Sequence, residues 1–367
     1  MSISKIVITG GPCGGKTTAL SRIQRDLSHL GYTVLIVPET ATSLISGGVA
    51  PWTCGTNSDY QLFQMTLQRQ KEEIFERAAR TMGDKKILIV CDRGEMDNKV
   101  YMSDGEFASV LEQLGFNEAE LRDGYDAVFH LVTAAKGAEE FYSLENNEAR
   151  YETVEQAAEM DDKFIAAWTG HPYLRVIDNS TDFEGKMRRL IREIAYFLGE
   201  LHPYEIERKF LVEFPDLDWL EGMEACERVE ISQHYLRSDP DEEIRIRRRG
   251  SGESSMYYLT EKRLVDGHKT MRMQRRLTEG EYHMLLVQAD PKRREIVKTR
   301  YCLTYKNQYF EIDVFPCWSD QAIAEIELSS EDTPVAFPPE LHVIREVTGD
   351  PRYRNASIAA HPRGATH

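Results

Sequence analysis

Eight residues near the N-terminus, Gly10-Gly11-Pro12-Cys13-Gly14-Gly15-Lys16-Thr17, constrain this chain more than any other stretch. They have the Gly-x4-Gly-Lys-Thr spacing of a Walker A loop. The short apolar run Ile6-Val7-Ile8 precedes them and reads as a buried strand, and Thr18 opens a helical periodicity. Strand, glycine loop and helix are the parts of a phosphate cradle. The glycines let backbone N–H groups approach phosphate oxygens, and the helix turns its positive end toward the anion. Gly10, Gly11, Gly14, Gly15, Lys16, Thr17 and Thr18 are therefore candidate nucleotide contacts. Lys16 would reach the β- and γ-phosphates, and the Thr17 hydroxyl would hold Mg²⁺. The plainer alternative is a glycine turn without a ligand, and the flanking strand and helix argue against it.

A chain of 367 residues is long for one domain, and two are expected. The formal charge of −16 argues against general attraction to nucleic acid or an anionic membrane. The six cysteines form no C-x-x-C pair, so neither a zinc site nor a disulfide framework is indicated. A reducing, cytoplasmic setting is the expectation. No signal peptide and no membrane-spanning apolar run can be read.

Short apolar runs alternate with helical stretches as far as about residue 200. Strands are expected at Lys5–Thr9, Thr33–Val37, Lys86–Cys91, Ala127–Val132 and Leu174–Ile177. Helices are expected at Thr17–Leu30, Ser58–Thr81, Thr153–Trp168 and Phe183–Leu198. The alternation predicts an α/β fold with a parallel sheet, whose ligands bind beyond the carboxyl ends of the strands. Glu39-Thr40 and Asp92-Arg93 fall at two such ends. Asp92 closes an apolar strand as a Walker B acid does, supporting Mg²⁺ or serving as general base, and Glu39 joins it as a catalytic candidate. Arg150, in the polar run 146–152, would neutralise charge on a transferring phosphoryl group if that run closed as a lid.

The runs Thr9–Thr18, Val37–Thr42 and Cys91–Asp97 together resemble one P-loop family. It includes the nicotinamide riboside kinase domain and the TRPL-translocation-defect proteins. The resemblance implies a kinase-like nucleotide fold over residues 1–201 without naming an acceptor.

From residue 202 onward the pattern becomes strand-like, with charged residues two apart and hence on one strand face. These are Glu205, Glu207 and Lys209; Arg245, Arg247 and Arg249; Lys298 and Arg300; Glu311 and Asp313; Glu325 and Glu327. If the charged faces converge, they line a closed barrel with a polar interior. Its bases would bind phosphate, and its carboxylates would bind Mg²⁺ or Mn²⁺.

The run Tyr204–Val212, with Glu205, Glu207 and Lys209 as Glu-x-Glu-x-Lys, closely resembles the opening strand of CYTH domains, the triphosphate tunnel metalloenzymes. Arg245, Arg247, Lys262, Lys298, Arg300, Glu325 and Glu327 match further positions. The resemblance implies an eight-stranded antiparallel tunnel over residues 202–367 that binds triphosphate with divalent metal, Glu205, Glu207, Glu325 and Glu327 joining Asp313 as ligands. One strand departs from the pattern: Gln274 and Arg276 stand where two carboxylates are expected. The two halves together resemble the TRPL-translocation-defect proteins, which implies binding of guanine nucleotide and phosphoinositide. Three activities remain open: a tunnel hydrolysing inorganic or nucleoside triphosphate, a nucleotide-switched binder of a phosphorylated ligand, and a P-loop kinase using ATP or GTP.

Overall fold

A computed structural model describes residues 2–83, 86–141, 153–200, 206–238, 242–251, 254–266, 269–328 and 333–360. The chain forms two compact units, Met1–Leu201 and His202–His367. Among the described residues no helix is long and apolar enough to cross a membrane.

The N-terminal unit is built on β1 (Ser2–Thr9), β2 (Thr33–Val37), β3 (Lys86–Asp92), β4 (Ala127–Leu131) and β5 (Leu174–Ile177). All pair in parallel, in the order β2-β3-β1-β4-β5. The three central strands are almost continuously apolar and buried, because helices cover both faces. The edge strands β2 and β5 are only half-buried. The helices are α1 (Lys16–His29), α2 (Thr40–Ser46), α3 (Asn57–Thr81), α4 (Asp104–Leu114), α5 (Glu118–Arg122), α6 (Val154–Trp168) and α7 (Phe183–Phe197).

Helix α1 buries Ala19, Leu20, Ile23 and Leu27, the i, i+3, i+4 stripe of an amphipathic helix. With Met187, Leu190 and Ile194 of α7 it covers Ile6, Ile8, Phe129 and Leu131. Each expected strand and helix of this half is present, most of them shifted by a residue at one end. Helices α2, α4 and α5 escaped the sequence reading. After β3 the chain makes a 3₁₀ helix, Glu95–Tyr101.

The C-terminal unit carries β6 (Ile206–Glu213), α8 (Leu217–Glu221), β7 (Cys226–Tyr235), β8 (Glu242–Ser251), β9 (Ser254–Asp266), β10 (Lys269–Leu277) and α9 (Glu279–Leu286). Then follow β11 (Ile296–Tyr305), β12 (Gln308–Val314), β13 (Gln321–Leu328), β14 (Val343–Glu346) and α10 (Asn355–Ala360). The strands make one antiparallel sheet, ordered β10-β9-β8-β7-β11-β12-β13-β6-β14. Among the described residues the sheet has nine strands, where the sequence leads to an expectation of eight. The extra one is the four-residue β14, which bulges where it pairs with β6.

Alternation divides the sheet into two faces. On one face Phe210, Val212, Leu303, Phe310, Ile312, Ala324 and Ile326 pack with Leu220 of α8 and with Leu341. On the same side farther along, Ile246, Leu259 and Leu277 meet Tyr282 of α9. The opposite face carries Arg247, Arg249, Lys298, Arg300, Asp313 and Glu325, all buried. The charged band is buried within the unit, as the inward face of an antiparallel tunnel is. Along β11 the inward positions run Ile296, Lys298, Arg300, Cys302. Ile296 joins Tyr235, Phe315, Trp318 and Ile358 of α10 in an apolar cluster, and Cys302 joins Val229 and Ile231 in another. The charges thus form a band between two apolar layers.

Each unit has its own core, so the two should fold separately. Residues 1–201 and 202–367, expressed apart, are each expected to melt cooperatively in calorimetry. Two insoluble or molten fragments from a folded parent would contradict this.

Candidate functional site

In the N-terminal unit the glycine loop leaves the central strand β1 and lies against the end of β4. Gly10 has φ +136°, and a Cβ there would sit 2.1 Å from the Leu131 carbonyl oxygen, so only glycine fits. Gly15 precedes α1 in the left-handed region, and Lys16 opens the helix. The Lys16 ammonium donates to the Gly10 and Gly11 carbonyls at 2.8 and 2.9 Å. Burial, then the Arg93 guanidinium, lowers its pKa to about 7. An incoming polyphosphate would supply the negative charge this lysine lacks. Thr17 and Thr18 are exposed at the same helix end.

Asp92 ends β3 beside the loop. Burial, then repulsion from Glu39, pushes its carboxyl up to about 6. Arg93 follows with φ +71°, a left-handed conformation uncommon for arginine. That turn aims the guanidinium back toward Glu39, where Nε donates to Oε1 at 2.8 Å. Burial would raise the Glu39 carboxyl, but Arg93 and the Thr42 hydroxyl at 2.6 Å outweigh it and hold it low. Nη1 of Arg93 lies 3.5 Å from both the Gly10 carbonyl and Asp97. Lys16, Glu39 and Asp92 are thus brought into one electrostatic cluster, while Arg150 lies outside the described residues.

Several residues of this site were not singled out from the sequence. Asp161 of α6 accepts the Gly11 N–H at 2.9 Å and the Thr133 N–H at 3.2 Å. It also meets His130 Nε2 at 3.0 Å and Lys136 at 3.2 Å. Burial would raise this carboxyl, but His130, Lys136 and the Gly11 amide hold it well below the usual range. Asp97 accepts from Thr9 Oγ1 and from Trp168 Nε1, each at 2.6 Å.

In the C-terminal unit, cations and carboxylates share the buried face. Lys298 donates to Asp313. Arg300 grips Asp313 through Nε and Nη2, both at 2.7 Å, bonds Glu311, and reaches Glu325 at 3.3 Å. Lys209 lies 2.5 Å from Glu325 and 3.2 Å from Glu207. Glu205 lies outside the described residues. Glu327 shares the face of Glu325 but is exposed near the end of β13, directly opposite Glu207.

Beyond this network stand Arg245, Arg247 and Arg249 on β8. Arg247 is 8% exposed, and its Nε and that of Arg245 are buried without a hydrogen-bond partner among the described residues. Burial, then Arg245, Arg300 and Arg249, lowers the Arg247 pKa to about 9. Gln233 Nε2 is a further buried donor without a partner among the described residues. Lys262 is half-buried on the neighbouring β9, where Glu243 is its register partner. A buried surplus of positive charge with unused donors is what a polyanion would complete.

Among the described residues no group of three or more His, Cys, Asp or Glu side chains is arranged to hold a metal ion. Thr17 lies in the first turn of α1 and Asp92 ends β3, and Mg²⁺ takes one or two protein oxygens and the rest from phosphate and water. In the other unit Glu207 and Glu327 are register partners across β6 and β13, with Lys209 3.2 Å from Glu207. Gln274, at the departing strand β10, is exposed and lies 3.4 Å from Thr260.

The Glu325 environment sets a pH dependence. Burial would raise its carboxyl, but Lys209, Arg300 and Lys298 hold it well below the ordinary range. Its stabilisation is complete above the unfolded value near 4.3 and is lost as pH falls toward the folded value. Between about pH 4.5 and 3 the wild-type melting temperature should therefore fall more steeply than that of Glu325→Gln. Parallel curves would contradict the pairing.

Residues 5–186 match the family described as AAA domain. An inorganic triphosphatase from Acetivibrio thermocellus is 31% identical over 159 residues, covering 43% of this chain and 94% of the relative. That length suits the C-terminal unit, His202–His367. The crystal structure of an inorganic triphosphatase is 32% identical, covers 43% of this chain and 95% of its own, and has a TM-score of 0.31. A protein of known structure from Pyrococcus horikoshii is 18% identical over 35% of this chain and 81% of its own, with a TM-score of 0.26.

Proposed function

Because the chain belongs, through its C-terminal half, to the inorganic triphosphatase family, we propose that this half binds a linear triphosphate and hydrolyses it. The observation that carries the reading is the buried Arg247, flanked by Arg245 and Arg249 and left with an unused donor. Arg245, Arg247, Arg249 and Lys262 would hold the phosphate oxygens, with Lys298 and Arg300 extending the positive band. Glu207 of β6 and Glu325 and Glu327 of β13, with Asp313 of β12 and Glu205, would hold Mg²⁺ or Mn²⁺, which supplies charge neutralisation and polarises a phosphoryl oxygen. In hydrolysis, water oxygen bonds to a terminal phosphorus and the bridging P–O bond breaks, giving orthophosphate and diphosphate. The arginines stabilise the charge that gathers on the departing group. In the N-terminal half Lys16, Thr17 and Asp92 would bind the polyphosphate of ATP or GTP with Mg²⁺, and Glu39 would set the charge around them.

A second reading, a tunnel that binds a phosphorylated ligand without cleaving it, draws support from the carboxylates. Lys298, Arg300 and Lys209 already neutralise Asp313 and Glu325. Gln274 and Arg276 replace two further acids. Titration calorimetry with tripolyphosphate in Mg²⁺ and then in EDTA tests what both readings share. Binding strengthened by metal is expected, since the ion offsets carboxylate–phosphate repulsion. No binding in either condition would refute both.

A further inference from the structure

Helix α6 touches the nucleotide site at three places from one face. Asp161, Phe164 and Trp168 are spaced i, i+3, i+7, which stacks them along a single stripe. Asp161 is fully buried and accepts the Gly11 N–H at 2.9 Å. A Cβ on Gly11 would meet Asp161 Oδ1 at 2.9 Å and its Cβ at 3.1 Å, so loop and helix are in close contact. Phe164 lies with its ring 4.7 Å from the Arg93 guanidinium. Trp168 donates its indole N–H to Asp97 at 2.6 Å, the same oxygen that Thr9 bonds.

We propose that Asp161 is a positioning residue for the phosphate loop, and that α6 sets the loop, Arg93 and Asp97 in register through this stripe. The inference rests on the reading that the loop binds nucleotide. Gly11 follows the tight turn at Gly10, where the path of the loop is decided. A carboxylate fixing that amide holds the following amides in the arrangement a polyphosphate needs, so less order has to be imposed on binding. His130 and Lys136 hold the carboxylate in turn, from β4 and the segment after it. Asp161 would itself touch no substrate.

The test is titration of the full-length protein with Mg²⁺–ATP and Mg²⁺–GTP, with tripolyphosphate titrated in parallel as a measure of the other half. Asp161→Ala is expected to weaken nucleotide binding by about tenfold or more, the scale of one lost charge-assisted hydrogen bond. Asp161→Asn keeps an acceptor for the Gly11 amide and should stay within about threefold of wild type. Tripolyphosphate binding should be unchanged in both variants. A merely structural role would lower the melting temperature without this rescue pattern. Unaltered nucleotide binding by Asp161→Ala, or an Asn variant as weak as the Ala variant, would overturn the proposal.

If Asp161→Ala does not fold, Phe164→Leu carries the test. Loss of the ring beneath Arg93 should weaken nucleotide binding about fivefold, and unchanged binding would overturn the stripe. A wild type that binds tripolyphosphate but neither nucleotide would overturn the nucleotide reading and this inference with it.

Discussion

Arg247→Glu is expected to weaken tripolyphosphate binding by about a hundredfold or more while the protein stays folded. Removing one member of a buried charged contact costs about 2–5 kcal/mol, and reversal adds repulsion between the new carboxylate and phosphate. The fold should tolerate the change for an electrostatic reason. Arg245, Arg249 and Arg300 already crowd Arg247 enough to depress its pKa, so a carboxylate there meets three cations. The same reversal at Lys292, which is exposed, should change binding little. Calorimetry on both variants, with circular dichroism to confirm the fold, checks the pair. Equal losses at Arg247 and Lys292 would mean that general charge attracts the ligand and the buried band does not.

Lys16→Ala should remove nucleotide binding from the N-terminal half. The ammonium rests on the Gly10 and Gly11 carbonyls, poised at the loop. Losing its contact with the β- and γ-phosphates costs about 2–5 kcal/mol, a fall in affinity from about thirtyfold to several thousandfold. The melting temperature should barely change, since burial disfavours the charged lysine in the free protein. Calorimetry with Mg²⁺–ATP and Mg²⁺–GTP measures the loss. Affinities equal to those of the wild type would remove the loop from the account.

Different physical signals made the two halves legible to different degrees. The loop Gly10–Thr17 and the apolar runs of β1, β3 and β4 could be read because local spacing and composition specify them. Asp161, His130 and Trp168 could not, since β4 and α6 bring them to the site through tertiary packing alone. A faint signal existed: Asp161 is an acid on the face of α6 that buries Phe164 and Trp168.

In the C-terminal half the two-residue charge period revealed the polar face of the sheet. It could not say which charges neutralise one another. Asp313, read as a metal ligand, is gripped by Lys298 and Arg300, because β11 and β12 pair with Arg300 directly opposite Asp313. Nor could it foresee that Arg247 keeps an unused donor, which depends on what β7 and β9 place beside it. The short strand β14 also escaped, since Val343–Glu346 is exposed along its length and carries no burial pattern.

The most direct test of the central claim is release of orthophosphate from tripolyphosphate with Mg²⁺ or Mn²⁺, measured on wild type, Lys16→Ala and Arg247→Glu. The account predicts release by the wild type, the same rate in Lys16→Ala, and loss of activity in Arg247→Glu. Release that survives Arg247→Glu but disappears in Lys16→Ala would place the chemistry in the other half and contradict it.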